Sequence, residues 1–256
     1  MGIINVTPDS FFAASRTERV DAAISRGRSH FAAGASIVDV GGESSRPGAT
    51  PVPVDVEIAR VVPVIEALAP EGRVSVDTVK PEVAAAAVAA GASLINDVSG
   101  TLARTAAELG VGWVAMHAKG TPATMQDNPR YHDVVAEVAA WLEAKAREAA
   151  ALGVPELWLD PGIGFAKTFD HNWSLLRHGD ELAALAHDHG ATFLVGTSRK
   201  RFLGEVGGHD LAPEDRLAAS LATAVAAMAA GADLVRAHDV EATVQAARVF
   251  SEKMVS

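Results

Sequence analysis

Two rhythms of apolar positions alternate along the chain. One is a short apolar run closed by polar residues. The other places apolar residues every three or four positions, as on one face of a helix. Residues 2–6 form the first short run, carrying Asn5 and followed by Thr7. A helical pattern begins near residue 18, with Thr17 at the N-cap position and Val20, Ile24 and Phe31 at helical spacing. Gly34 suits the left-handed position that closes a helix. The next pair is a run at 36–40 and a helical pattern at 55–68, with Ile58, Val61, Val62, Ile65 and Leu68 on one face. Pro63 inside that face predicts a kink or two shorter helices. Runs at 74–76, 94–96, 112–116, 157–159, 192–195 and 234–236 follow. Their helical partners lie at 81–90, 105–109, 133–152, 172–189, 213–230 and 240–252.

Short runs that are apolar on both sides predict doubly buried strands, and their alternation with helices predicts a parallel sheet with right-handed crossovers. Eight strand–helix units in 256 residues predict an α/β fold, a (β/α)8 TIM barrel forming a single domain. An open doubly wound sheet is the alternative. One phrase recurs: AAGASIVDV at 32–40, AAGASLIND at 89–97 and AAGADLVRAHD at 229–239. The Ala-Gly-Ala part reads as the turn from helix into strand. The varying polar endings then fall at the carboxyl-end rim, where active sites of this fold are built.

Composition narrows the classes. Apolar residues make up 49% and aromatic ones 5%, so the core must be packed mainly from Ala, Val, Leu and Ile. A net charge of −10 argues against a nucleic-acid or anionic-membrane surface, and any anionic ligand needs a local cationic pocket. With no cysteine, disulfides and thiolate chemistry are excluded. The first ten residues, MGIINVTPDS, lack the pattern of a secretory signal, and the Ala-rich stretch 217–235 contains Asp233. The expectation is a cytoplasmic protein that does not span a membrane.

The strand ends collect Asn5 and Asp9; Asp39, Glu43, Ser45 and Arg46; Asp77 and Thr78; Asn96 and Asp97; and His117 with Lys119. They continue with Asp160 and Phe165; Ser198, Arg199 and Lys200; and Arg236 with His238. Any one of these is explained by capping or turns. A ring of acids and bases supplied by all eight strands indicates a ligand site. Asp77, Asn96, Asp160 and Lys200 suit a flat, nitrogen-rich heterocycle, because a carboxylate takes two N–H donors and an amide meets a donor–acceptor pair. Arg46, Arg236 and His238 suit an anionic group. Ser198 opens SRKRFLG, a predicted helix start whose N–H groups could receive an anion.

Other motifs fail. DPGIGFAKT lacks the spacing of a phosphate loop, GTSRK is not a nucleophile elbow, no H-E-x-x-H occurs, and His187 and His189 at a helix end read as solvated rather than metal-bound.

These residues sit in segments with a familiar order: INVTPDSF at 4–11, DVGGESSRPGA at 39–49, VSVDT at 74–78 and INDVSG at 95–100, then MHAKGTP at 116–122, DPGIGFAKT at 160–168, TSRKRFLG at 197–204 and RAHDV at 236–240. The chain resembles the dihydropteroate synthase family nearly end to end. The resemblance implies a transferase that joins 6-hydroxymethyl-7,8-dihydropterin diphosphate to 4-aminobenzoate, releasing pyrophosphate, with Mg²⁺ required and a homodimer as the usual assembly. It implies that Asp77, Asn96, Asp160 and Lys200 hold the pterin. Arg236 would stack on the pterin ring and, with Asn5 and His238, bind the diphosphate, Asn5 also contacting Mg²⁺. Asp9, Ser45, Arg46 and Pro47 would close over the site and form the aminobenzoate pocket with Phe165, Ser198 and Lys200. Asp77, Asp160, Lys200, Arg236 and His238 would carry the catalysis.

Two departures from the family pattern stand out. Phe12-Ala13-Ala14-Ser15-Arg16 replaces the usual Ser-Asp-Gly-Gly after DSF, which predicts altered closure of that loop, and Ser45 replaces the usual Thr. A pterin-binding methyltransferase barrel and a pterin-binding paralogue with little turnover are the alternative readings. The intact SRK and R-x-H-D segments argue against the first, and the intact Asp77, Asp160, Lys200 and Arg236 against the second.

Overall fold

The computed structural model describes residues 1–6, 16–44, 50–120, 129–206 and 210–253. Eight parallel strands follow one another in chain order: β1 Gly2–Asn5, β2 Ile37–Gly41, β3 Arg73–Asp77, β4 Leu94–Asp97, β5 Gly112–Met116, β6 Leu157–Asp160, β7 Thr192–Val195 and β8 Leu234–Val235. The sheet closes on itself, because Ala237 pairs with Gly2, Ile3 N–H donates to Ala237 O (3.0 Å) and Ala237 N–H donates to Met1 O (2.9 Å). The result is the expected (β/α)8 barrel.

The helices are α1 Arg16–Ala32, α2 Val54–Leu68, α3 Pro81–Ala89, α4 Ala103–Leu109, α5 Val134–Leu152, α6 Phe169–Arg177, α7 Gly179–Asp188, α8 Arg201–Gly204, α9 Leu217–Ala229 and α10 Val240–Lys253. The repeated Ala-Gly-Ala phrase is a repeated helix stop. Gly34, Gly91 and Gly231 all have positive φ (99°, 111° and 97°), and the alanine after each donates its N–H five residues back. Those bonds are Ala35 to His30 O (2.9 Å), Ala92 to Ala87 O (3.0 Å) and Ala232 to Ala227 O (2.9 Å). This is the Schellman arrangement, which satisfies orphan carbonyls and turns the chain straight into the next strand.

Several sequence expectations need correction. Helix α1 begins at Arg16, so Thr17 lies within it rather than at its N-cap. Pro63 does not divide α2, since Val61, Val64, Ile65 and Leu68 on both sides of it are buried in the core and hold one continuous helix. The single helix drawn over 172–189 is two, because His178 leaves helical angles (φ −107°, ψ 28°) and Gly179 packs against Ala230. The pattern at 213–230 opens with a 3₁₀ turn, Pro213–Arg216. Asp133, drawn as the first residue of α5, is its cap: the carboxylate accepts from Val135 N and Ala136 N. Asp133→Ala should lower stability by about 1 kcal/mol in urea unfolding; an unchanged midpoint would show that this cap contributes nothing.

Two apolar clusters flank the sheet. Val38, Val40, Val76, Ile95, Trp113, Leu159 and Phe193 face outward against the helices. Met1, Ile37, Leu94, Val114, Trp158 and Leu194, with Leu234 beside them, form a separate cluster inside the barrel. Successive side chains on a strand point to opposite faces, so the residue two positions on lies above each interior one. Two after Ile37 is Asp39, two after Leu94 is Asn96, two after Trp158 is Asp160, and two after Leu234 is Arg236. An apolar floor thus carries a polar layer, which is the start of the site.

Candidate active site

The polar layer is wired through Arg236. Its Nε donates to Asp39 Oδ2 (2.7 Å) and its Nη2 to Asp77 Oδ2 (2.7 Å), so one guanidinium bridges the carboxylates of β2 and β3. Asp39 Oδ2 also accepts from Asn96 Nδ2 (2.8 Å). A carboxylate partner of this kind takes the amide's N–H₂ side, which leaves the Asn96 carbonyl oxygen as the group to meet a ligand N–H. Asp39 Oδ1 is buried without a hydrogen-bond partner among the described residues. Asp39, in the sequence simply a strand-end acid, organises both Arg236 and Asn96.

Asp160 closes β6 and accepts from Gly162 N through Oδ1 (2.7 Å). Lys200 stands just before α8, donates to Ile163 O and lies 4.7 Å from the centre of the Phe165 ring. Ser198 Oγ and His238 Nδ1 are 3.0 Å apart, and His238 N–H donates to the same hydroxyl (3.1 Å). Helix α8 has only four residues and begins at Arg201, so the expected helix start at Ser198 is absent; Ser198 serves His238 instead. Arg199 turns away and pairs with Asp239. Asn5 ends β1 opposite Gly41, half-buried. Asp9, Ser45, Arg46 and Pro47, like Phe12, lie outside the described residues.

Electrostatics follow from burial. Burial raises the Asp77 carboxyl to about 7; Arg236 opposes the shift, while Asp39, Glu57 and Asp97 add to it. Asp160 is also raised by burial, against the pull of Lys200 and the Gly162 hydrogen bond. Lys200 falls to about 8 through burial, with Asp160 opposing. For Arg236, burial works against the charge, but Asp39 and Asp77 outweigh it and the guanidinium is held above its ordinary value.

Other rim residues are structural. Asp97, one position after Asn96, points outward and accepts from Thr101 N, Leu102 N and Trp113 Nε1 (2.7, 2.8 and 3.1 Å). His117 is buried against Lys167 and does not reach the mouth as expected. Lys80, which sequence reasoning missed, donates to Glu43 (2.5 Å), Glu57 (2.5 Å) and Val52 O (2.7 Å), while Val52 N–H donates to Glu43 (2.7 Å). That clamp joins residues on both sides of the segment holding Ser45, Arg46 and Pro47. Among the described residues, no group of three or more His, Asp or Glu is placed to hold a metal, and no helix is long and apolar enough to cross a membrane.

A closed parallel barrel whose carboxyl-end mouth combines buried carboxylates with half-buried cations is the architecture of a barrel enzyme. The family described as pterin binding enzyme matches residues 1–238. Dihydropteroate synthase of Escherichia coli K12 is 45% identical over 97% of this chain and 89% of its own length, and that of Mycobacterium leprae is 45% identical over 97% and 91%. A solved structure of the Xanthomonas albilineans dihydropteroate synthase with 4-aminobenzoic acid superposes with a TM-score of 0.89 at 44% identity, covering 100% of this chain and 93% of that one. The chain belongs to the pterin-binding enzyme family, in its dihydropteroate synthase branch.

Proposed function

We propose that this chain condenses 6-hydroxymethyl-7,8-dihydropterin diphosphate with 4-aminobenzoate to give 7,8-dihydropteroate and pyrophosphate. The observation that carries the reading is the contact between Arg236 and Asp77, 2.7 Å apart in one mouth, because it sets the cationic group suited to a diphosphate beside an acid suited to the heterocycle. Relatives support it. One Xanthomonas albilineans structure is a complex with 7,8-dihydropteroate (TM-score 0.87, 42% identity, covering 100% of this chain and 93% of that one).

In this reading Asp77, Asp160 and the Asn96 carbonyl receive the N–H groups of the pterin, and Lys200 donates beside Phe165. The chemistry is displacement at carbon: the C–O bond to the diphosphate breaks, the arylamine nitrogen forms the new C–N bond, and its proton passes to solvent. Buried carboxylates favour the positive charge that develops on the pterin as the C–O bond opens. Arg236 and His238 hold the departing pyrophosphate. A heterocycle donating N–H bonds favours the charged form of Asp77, offsetting the burial that raises it in the free protein.

Mg²⁺ fits this mouth as an ion carried mainly by diphosphate and water, because the Asn5 side chain offers one hard oxygen at the end of β1 and such ions need no all-protein cage. When bound, it neutralises charge on the leaving group. The test is a product assay with purified protein, dihydropterin diphosphate, labelled 4-aminobenzoate and Mg²⁺. Labelled dihydropteroate that vanishes with EDTA is the expected result. No product, with pterin binding still detectable by calorimetry, would favour a binding paralogue.

A further inference from the structure

The segment after β6 contains a backbone conformation that needs outside support. Gly162, Ala166 and the intervening Gly164 all have positive φ (67°, 51° and 85°), and Ala166 is not a glycine. A left-handed residue with a side chain persists only where its surroundings over-determine it. Two contacts do so. Tyr131 Oη donates to Ala166 O (3.0 Å), and Lys167, only 2% exposed, turns its amine back into the loop. Lys167 Nζ lies 2.9 Å from His117 Nδ1, 3.0 Å from Phe165 O and 3.3 Å from His117 O. The two connections are in close contact there, since a Cβ on Gly162 would stand 1.8 Å from His117 O.

Burying an amine is unfavourable, and a lysine is retained here where an aliphatic residue would pack without that cost. What the amine adds is a donor shared among three acceptors, two on the end of β5 and one on the β6 loop, and burial lowers that amine well below its ordinary value. Burial drives His117 down to about 3, with Lys167 nearby adding to the effect, so its ring stays neutral and Nδ1 can accept. Phe165 itself carries the ring beside Lys200.

We propose that Lys167 is a positioning residue: its buried amine pins the loop 162–166 to the end of β5 and so sets the Phe165 ring beside Lys200. It follows that Lys167 governs capture of the arylamine beside Phe165 more than capture of the pterin, which the same loop reaches only through the Gly162–Asp160 and Ile163–Lys200 bonds, a consequence that rests on the proposed function. The pin itself is tested without turnover, by hydrogen exchange on the ligand-free protein. Lys167→Met should speed exchange of the Gly164 and Phe165 amides, which donate to Asn172 Oδ1 (2.6 Å) and Gly162 O (3.0 Å), by about tenfold or more.

In steady-state assays the same variant should raise the KM for 4-aminobenzoate about tenfold, with a clearly smaller rise in the KM for dihydropterin diphosphate. Ala166→Gly added to Lys167→Met should recover part of the loss, because glycine holds the left-handed angle without a steric penalty. If Lys167→Met does not fold, Lys167→Gln, which keeps a donor, carries the same comparison with a smaller effect. Unchanged exchange overturns the pin, as does an equal rise in both KM values. A wild-type protein that makes no dihydropteroate would defeat the proposed function instead, and the exchange comparison would still decide the role of Lys167.

Discussion

Arg236→Met is expected to produce no detectable dihydropteroate and to unfold more readily by about 3–5 kcal/mol, the usual consequence of removing one partner from a buried charge cluster. The wild-type guanidinium touches Asp39 and Asp77, both within the barrel, and Asp39 already has one oxygen without a partner among the described residues. Methionine would fill the space but leave two carboxyl groups facing each other without a cation. The stability loss and the activity loss have separate origins, and a second substitution separates them. Adding Asp39→Asn should restore part of the urea midpoint, because a carboxylate leaves the cluster, and should restore no activity. Residues in one network couple in this way. A single variant with the wild-type midpoint would show that the cluster does not need its cation.

Asp77→Asn should behave in the opposite sense: a folded protein with turnover reduced roughly a hundred- to a thousandfold, the effect of deleting one preorganised electrostatic group. Asparagine can still accept from Arg236, so the network survives. Stability also has a direction with pH. Asp77 is raised from 3.8 to about 7, so the folded state holds its proton where the unfolded state has released it. Between those values the unfolded state binds fewer protons, and the wild type loses stability as pH rises. Asp77→Asn lacks this loss, so its stability relative to wild type should improve from pH 4 towards pH 7 and then level off. Near wild-type kinetics would remove Asp77 from the mechanism, and a flat stability difference would contradict its raised pKa.

Much of this was readable from the chain because the signals were local. Strand and helix periodicity predicted all eight units, and the Gly-Ala phrase marked the turns, since a left-handed glycine is required at each. The polar residues that close the apolar runs placed Asn96, Asp160 and Arg236 on a single rim. What was hidden depends on distant partners. Asp97 sits beside Asn96 in the chain and reads the same, but one step along a strand turns it outward to cap a loop. Lys80 and Lys167 look like ordinary loop lysines until α2 and the end of β5 bring acceptors to them. The break at His178 was invisible because α6 and α7 keep one apolar rhythm across it.

The apolar cluster beneath the polar layer makes the barrel a well rather than a tube. A guest that settles on Asp77, Asn96 and Asp160 therefore has a dry floor beneath it and leaves by the mouth. A molecule resting above it would then also be a stopper, and two guests that share Lys200 would hold each other in place.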